Sequence, residues 1–202
     1  MSDAVVLQRP SRVVLADLFP GTRVRDISLV VGAAAFVGIL AQVSIHLSFT
    51  PVPITGQTLA VLVAGTALGW RRGLAAMVLY GAAGVAGVPW FAGHASGYAG
   101  ASFGYILGFA VAAAVCGYLA ERGASRSTLK SVRAMVAGEL VIYAVGVAWL
   151  AVSLHVGAGK AIALGFTPFL AGDAIKATIA AGLLPAAWKL TGADHRANRG
   201  DR

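Results

Sequence analysis

Two opposite charges within an apolar stretch are the residues best suited to chemistry in this sequence. Asp173 and Lys176 follow Thr167 and Pro168, a combination typical of a helix start. Residues three apart lie on one helical face, so the two charges are expected to pair. Because ionised groups are costly in apolar surroundings, such a pair favours the binding of a polar ligand. An ion pair that only fixes helix packing is the alternative.

Two further polar residues are candidates for ligand contact. Gln57 precedes an apolar segment and either hydrogen-bonds a ligand or caps a helix. Glu139 lies near the start of another apolar segment, where it is expected to reach the aqueous interface or pair with Arg133. A role in ligand handling is the alternative for Glu139.

The motif Gly100-Ala101-Ser102-Phe103-Gly104 matches the nucleophile elbow of serine hydrolases. That motif requires a strand-to-helix turn and a histidine facing the serine. His46, His94 and His155 fall in or near loops, and none has a second ligand at metal spacing. We therefore expect no enzyme activity and no metal site, with an intramembrane serine hydrolase as the remote alternative.

The composition indicates an all-α integral membrane protein. Of 202 residues, 58% are apolar and only 12% are charged, with a mean hydropathy of +0.78. No Asp, Glu, Lys or Arg occurs between Asp26 and Arg71, or between Arg72 and Glu121. Each gap exceeds the roughly 20 residues that one membrane-spanning helix needs. The net charge of +8 does not form a basic stripe with aromatics, so nucleic acid is not an expected partner.

Six transmembrane helices are predicted, at about 28–48, 57–70, 73–88, 102–121, 133–153 and 168–189. Fourteen of the sixteen Lys and Arg residues then fall on one side, whereas the three loops of the other side contain only Lys160. Since positive residues collect in the cytoplasm, both termini are predicted to be cytoplasmic. The expected organisation is an N-terminal segment at 1–26, a six-helix membrane domain at 27–190 and a C-terminal tail at 191–202.

The predicted outer loops are apolar and contain Gly and Pro. The stretch 88–98 adds Trp90, Phe91 and Tyr98. Such loops suit lids over an outward-facing pocket. An interfacial aromatic belt is the equally weighted alternative.

Small residues recur at four-residue spacing, which allows helices to approach closely in lipid. Most such pairs serve internal packing, and a pair facing outward would be a docking groove for another membrane subunit. The pairs are Ala34 with Gly38, Gly104 with Gly108, and Ala177 with Ala181.

Four motifs in order resemble the BioY family of biotin-specific substrate-binding (S) components of energy-coupling factor (ECF) transporters. They are Phe49–Leu59, Val88–Gly93, Phe103–Phe109 and Pro168–Lys176. The resemblance implies a six-helix S-component of the cytoplasmic (inner) membrane that captures biotin from outside. It also implies a membrane coupling subunit and two cytoplasmic ATPases as partners, with no cofactor. Homo-oligomers and an S-component for another vitamin stay open.

The resemblance also assigns residues. Asp173 and Lys176 match the family's charged biotin-binding positions, Gln57, Phe91 and Tyr105 match pocket or lid positions, and His94 falls where some members have a polar pocket residue. Ala34 and Gly38 are the nearest match to the small-residue motif by which S-components dock the coupling subunit. Relatives often have a Gly-Pro-Thr-Gly-Gly-Tyr-like run where this chain has Gly100–Tyr105.

Overall fold

The computed structural model describes residues 13–18, 21 and 23–190, so the tail at 191–202 and most of the predicted N-terminal segment lie outside the described residues. The described part is mostly helical. Its α-helices are α1 (Arg23–Gln42), α2 (Gln57–Leu68), α3 (Trp70–Val85), α4 (Phe103–Glu121), α5 (Thr128–Leu154), α6 (Ala158–Gly165) and α7 (Leu170–Leu190). Short 3-10 helices cover Leu15–Leu18, Ala92–His94, Ala124–Arg126 and Thr167–Phe169.

Four helical stretches of the described chain are long and apolar enough to cross a membrane. They are Arg23–Gln42, Phe103–Glu121, Thr128–Leu154 and Ala158–Leu190, the last of which joins α6 and α7. The helices α2 and α3 have 12 and 16 residues. At 1.5 Å per residue they extend only about 18 and 24 Å, less than a straight crossing needs.

The first helix is shifted towards the N-terminus relative to the predicted 28–48. It begins at Arg23, within the segment predicted to precede the membrane domain, and Asp26 in its first turn pairs with Arg25 and Arg72. It ends at Gln42 because the chain then turns extended. There β1 (Ser44–Ile45) pairs antiparallel with β2 (Ile54–Thr55), which closes the intervening loop.

The junction between α2 and α3 is a single glycine, Gly69, a few residues before the break predicted between helices at 57–70 and 73–88. Gly69 has a φ of +83°, a conformation that costs glycine little. The α3 helix therefore starts at Trp70, whose backbone N–H donates to Glu121 Oε1 at 3.2 Å.

A further short helix, α6, lies in the segment that was predicted to be a loop between the last two helices. The α5 helix ends at Leu154, and the next residue, His155, has a φ of +55°. The following residues then form α6, whose Ala161 and Gly165 are buried.

The helices pack around α4, which contacts α2, α3 and α5, while α7 packs on α5 and α2, and α1 packs on α3 and α2. Contacts bring the start of α1 and the end of α7 to the same end of the bundle. There Arg72 pairs with Asp26, Trp70 contacts Glu121, and Trp188 Nε1 donates to Ser125 Oγ at 3.0 Å. The opposite end contains the cavity described next.

Candidate functional site

Asp173 and Lys176 pair directly in the first two turns of α7, as their spacing predicts. Lys176 Nζ lies 2.7 Å from Asp173 Oδ1. Asp173 is buried, with 7% of its surface exposed, and Lys176 is partly buried. The pair is thus largely removed from solvent, which strengthens its electrostatic interaction.

Two side chains from other helices complete the polar site around this pair. Thr58 Oγ1 at the start of α2 donates to Asp173 Oδ1 at 3.2 Å and accepts from Lys176 Nζ at 3.2 Å. Tyr143 Oη on α5 donates a hydrogen bond to Asp173 Oδ2. Both carboxylate oxygens therefore have partners, and three helices meet at one carboxylate.

Gln57 is buried beside this site and is bonded through both ends of its amide. Its Nε2 donates to Tyr80 Oη at 2.7 Å, and its Oε1 accepts from Thr55 Oγ1 at 3.0 Å. Tyr80 Oη in turn donates to the Trp90 carbonyl at 3.2 Å. The amide thus links the start of α2 to α3 and, through it, to the loop after α3.

Aromatic side chains form an apolar wall around the polar residues. The Phe91 ring is buried and lies edge-on to Tyr80, with ring centroids 5.3 Å apart. Tyr105 Oη donates to the Gly165 carbonyl at 2.7 Å, and its ring is perpendicular to that of Tyr143. Side chains at Gly146 and Gly165 would clash with Tyr105, so the two glycines allow its position.

These residues line one cavity at this end of the bundle. Its helical wall contains Gln57 and Thr58 of α2, Tyr105 of α4, Tyr143 of α5, and Asp173 and Lys176 of α7. Its mouth is formed by His46, by 51–53 and by parts of 91–103. Five of the six predicted binding residues therefore meet at one cavity. Hydrogen-bond donors and acceptors lie at its base, with aromatic rings around them.

His94 is the predicted binding residue that does not line this cavity. It is exposed, has a φ of +60°, and its backbone N–H donates to Gln42 Oε1 at 3.2 Å. His46, from the loop after α1, lines the cavity mouth instead.

Sequence reasoning missed Thr58, Tyr143 and Gln42. Thr58 was adjacent to a predicted residue, and Tyr143 lies on an apolar helix without any local signal. Gln42 Nε2 donates to the Trp90 and Phe91 carbonyls at 3.1 and 3.2 Å, which holds the loop at 88–98, hereafter the aromatic loop, against α1.

The structure places Ala34 and Gly38, for which a docking role is expected, within the bundle. Both are buried, and a Cβ at Gly38 would lie 3.2 Å from the Trp90 ring. Gly38 thus makes room for the protein's own aromatic loop. The other predicted small pairs are also buried: Gly104 with Gly108, and Ala177 with Ala181.

Ser102 lines the cavity, but its surroundings differ from those of a nucleophile elbow. It precedes α4 after a loop rather than after a strand. The neighbouring Gly100 carbonyl accepts a hydrogen bond from Trp149 Nε1 at 3.2 Å. The match to the hydrolase motif therefore reflects the Gly-rich loop before α4.

An apolar helical bundle with a charged, partly buried cavity at one end defines a membrane protein that binds a small polar molecule. A profile of the BioY family matches residues 11–193, and the chain belongs to this family, which is a family of transporters and not of enzymes.

Relatives with known names and one solved structure agree with this assignment. The chain is 36% identical to the biotin transporter BioY of Rhizobium etli, over 78% of this chain and 89% of that protein. It is 35% identical to a probable biotin transporter BioY of Pyrococcus horikoshii, over 78% and 93% of the two chains. The fold is similar to a crystal structure of the S-component for biotin from an ECF-type ABC transporter. The TM-score is 0.74 at 23% identity, covering 83% of this chain and 92% of the other.

Proposed function

We propose that this protein captures biotin at the outer face of the cytoplasmic membrane and carries it inward as the S-component of an ECF-type transporter. The observation that carries the proposal is the Asp173–Lys176 ion pair at the base of an aromatic-lined cavity. Thr58 and Tyr143 each donate a hydrogen bond to its carboxylate. Membership of a family whose named relatives are biotin transporters supports biotin as the ligand.

The chemistry of the cavity matches that of biotin. The ureido group of biotin has two N–H donors and one strong acceptor, and its thiophane ring is apolar. The Asp173 carboxylate accepts from ureido N–H, and the Lys176 ammonium donates to the ureido carbonyl. Phe91 and Tyr105 cover the apolar ring and exclude water, as is usual in small-molecule sites. Gln57, also in the lining, holds the polar side of the cavity in place.

The proposed topology has six crossings and cytoplasmic termini. It is supported by the charge bias, since Arg72, Arg122, Arg126 and Lys189 belong to segments that meet at the end of the bundle away from the cavity. In this arrangement α2 and α3 complete two crossings as a closely joined pair. The cavity then opens to the outside.

The proposed partners are a membrane coupling subunit and two cytoplasmic ATPase subunits. This chain contains no P-loop motif of the form G-x-x-x-x-G-K-[ST], so ATP-driven transport requires other chains. Because Ala34 and Gly38 are buried, the coupling subunit has to use other residues of the membrane surface.

Calorimetric titration of biotin into the purified protein in detergent tests this proposal, with riboflavin and thiamine as controls. One-to-one binding of biotin alone is the expected result. Binding of another vitamin instead would reassign the substrate, and a folded protein that binds none of the three would overturn the proposal.

A further inference from the structure

Glu139 is a buried carboxylate that the proposed site does not use. Only 8% of its surface is exposed, and neither Oε1 nor Oε2 has a hydrogen-bond partner among the described residues. The expectation that it reaches the aqueous interface or pairs with Arg133 is therefore wrong, since Arg133 is exposed and Glu139 is buried. An ionised carboxylate without partners is very costly in an apolar interior, so Glu139 needs either a proton or a cation.

The nearest elements place Glu139 next to the charged pair. The α5 and α7 helices run antiparallel, because Tyr143 contacts Asp173 while Arg126, before α5, stacks on Trp188 near the end of α7. Along the α7 axis, Lys176 lies about 4.5 Å closer than Asp173 to the Trp188 end of the helix. Along the α5 axis, Glu139 lies about 6 Å closer than Tyr143 to that same end of the bundle, and on the same helical face. Glu139 and Lys176 are thus at a similar depth on facing helices.

The titratable groups that face Glu139 are few. Electrostatic interactions connect it with Asp173 and Lys176 of α7, with Tyr143 of its own helix and with Cys116 of α4. The α2 helix, which packs on both α5 and α7, contains no charged residue. Lys176 is therefore the cation available to Glu139 from the described residues.

Lys176 has the capacity to serve a second carboxylate. An ammonium has three donors, and two of them are bonded here, to Asp173 and to Thr58. A ligand whose N–H groups bind the Asp173 carboxylate competes with Lys176 for the same oxygens. The displaced ammonium then donates to Thr58 and to the ligand carbonyl, and its third donor can bind Glu139 once that carboxyl has lost its proton.

We propose that Glu139 is a proton-carrying positioning residue, which releases its proton and takes over Lys176 when a ligand with N–H donors binds Asp173. The proton passes from the Glu139 carboxyl to solvent, and the charge left on Glu139 pairs with the Lys176 ammonium. No covalent bond to the ligand forms. This inference rests on the proposed function for its ligand, biotin.

The test is calorimetry of biotin binding in two buffers with different ionisation enthalpies, which counts the protons released per biotin bound. Wild-type protein is expected to release protons, up to one per biotin. The Glu139→Gln variant, which resembles the neutral acid in shape, is expected to fold, to bind biotin and to release none. The Cys116→Ala variant removes the other buried group of this cluster and is expected to keep the release.

The outcomes distinguish this inference from the proposed function. Biotin binding by the wild type without proton release, or with proton uptake, overturns the inference alone. Release that persists in Glu139→Gln also overturns it, because the proton then comes from another group. A folded wild-type protein that binds no biotin overturns the proposed function, and this inference with it. The wild-type measurement needs no variant to fold.

Discussion

The Tyr143 hydroxyl on α5 donates a hydrogen bond to the Asp173 carboxylate on α7, 30 positions away in the sequence. Because this hydrogen bond uses Oδ2, the other oxygen, Asp173 Oδ1, accepts from Thr58 and Lys176. Together the three donors fix the plane of the carboxylate. A carboxylate held in this way is preorganised to accept hydrogen bonds from a ligand, because less side-chain freedom is lost on binding.

The charged pair is expected to dominate the binding of biotin. Asp173→Asn and Lys176→Ala each remove a charge-assisted hydrogen bond, worth about 1.5–3 kcal/mol, or a 10- to 150-fold loss of affinity. Calorimetry measures the loss, and Lys160→Ala, which removes an exposed lysine, serves as the matched control. Equal effects of Lys176→Ala and Lys160→Ala would show that the pair is not the site.

Removing the Tyr143 hydroxyl is expected to destabilise the site. In Tyr143→Phe one oxygen of the buried Asp173 carboxylate loses its donor, which costs about 1–3 kcal/mol. The melting temperature in detergent and the affinity for biotin should both fall. Tyr118→Phe is the control, since the Tyr118 side chain is 43% exposed and should lose little. Unchanged stability and affinity in Tyr143→Phe would contradict the role given to this hydrogen bond.

The position of Tyr105 depends on a helical glycine. A Cβ in Gly146→Ala would clash with the Tyr105 ring, and such overpacking costs about 1–3 kcal/mol. Gly182→Ala is the matched change in an open position, because a Cβ placed there has no described atom within 4 Å beyond the adjacent helical backbone. We expect a lower melting temperature for Gly146→Ala and an equal or higher one for Gly182→Ala. The reverse order would mean that Tyr105 is not tightly packed.

The aromatic loop is expected to govern how fast biotin leaves. Gln42→Ala removes two hydrogen bonds to the loop carbonyls and one from the His94 N–H. The loop should then open more often, so dissociation of labelled biotin should accelerate more than association. Val43→Ala alters the adjacent residue, which is 63% exposed, and should leave the rate unchanged. A dissociation rate in Gln42→Ala equal to that of the wild type would exclude the loop as the rate-limiting cover.

The topology can be checked with single cysteines in a Cys116→Ala background. Lys160→Cys is expected to react in intact cells with a thiol reagent that does not cross membranes, because α6 lies at the cavity end. Lys130→Cys, at the start of α5, is expected to react only after the cells are broken. Labelling of both positions in intact cells would refute an even number of crossings with cytoplasmic termini.

Local spacing predicted the charged pair of the site, and the family resemblance predicted Gln57, Phe91 and Tyr105 in its lining. Asp173 and Lys176 pair because a helix places residues three apart on one face, whatever the rest of the fold does. Thr58 lies 115 positions from Asp173, and no local pattern indicates that contact. Glu139 illustrates the same limit. Its position in the chain predicted an aqueous interface, whereas the neighbouring helices bury it.

The sequence by itself determined the class of protein, the approximate helices and the family. Long uncharged segments require burial in lipid, the helical repeat sets the spacing of the charged pair, and the family motifs are contiguous. Only the tertiary structure decided which faces of the helices meet. It turned Gly38 towards Trp90, brought Tyr143 to Asp173, and left His94 outside the cavity. The physical reason is that helix orientation depends on side-chain packing between segments far apart in the chain, which local periodicity does not encode.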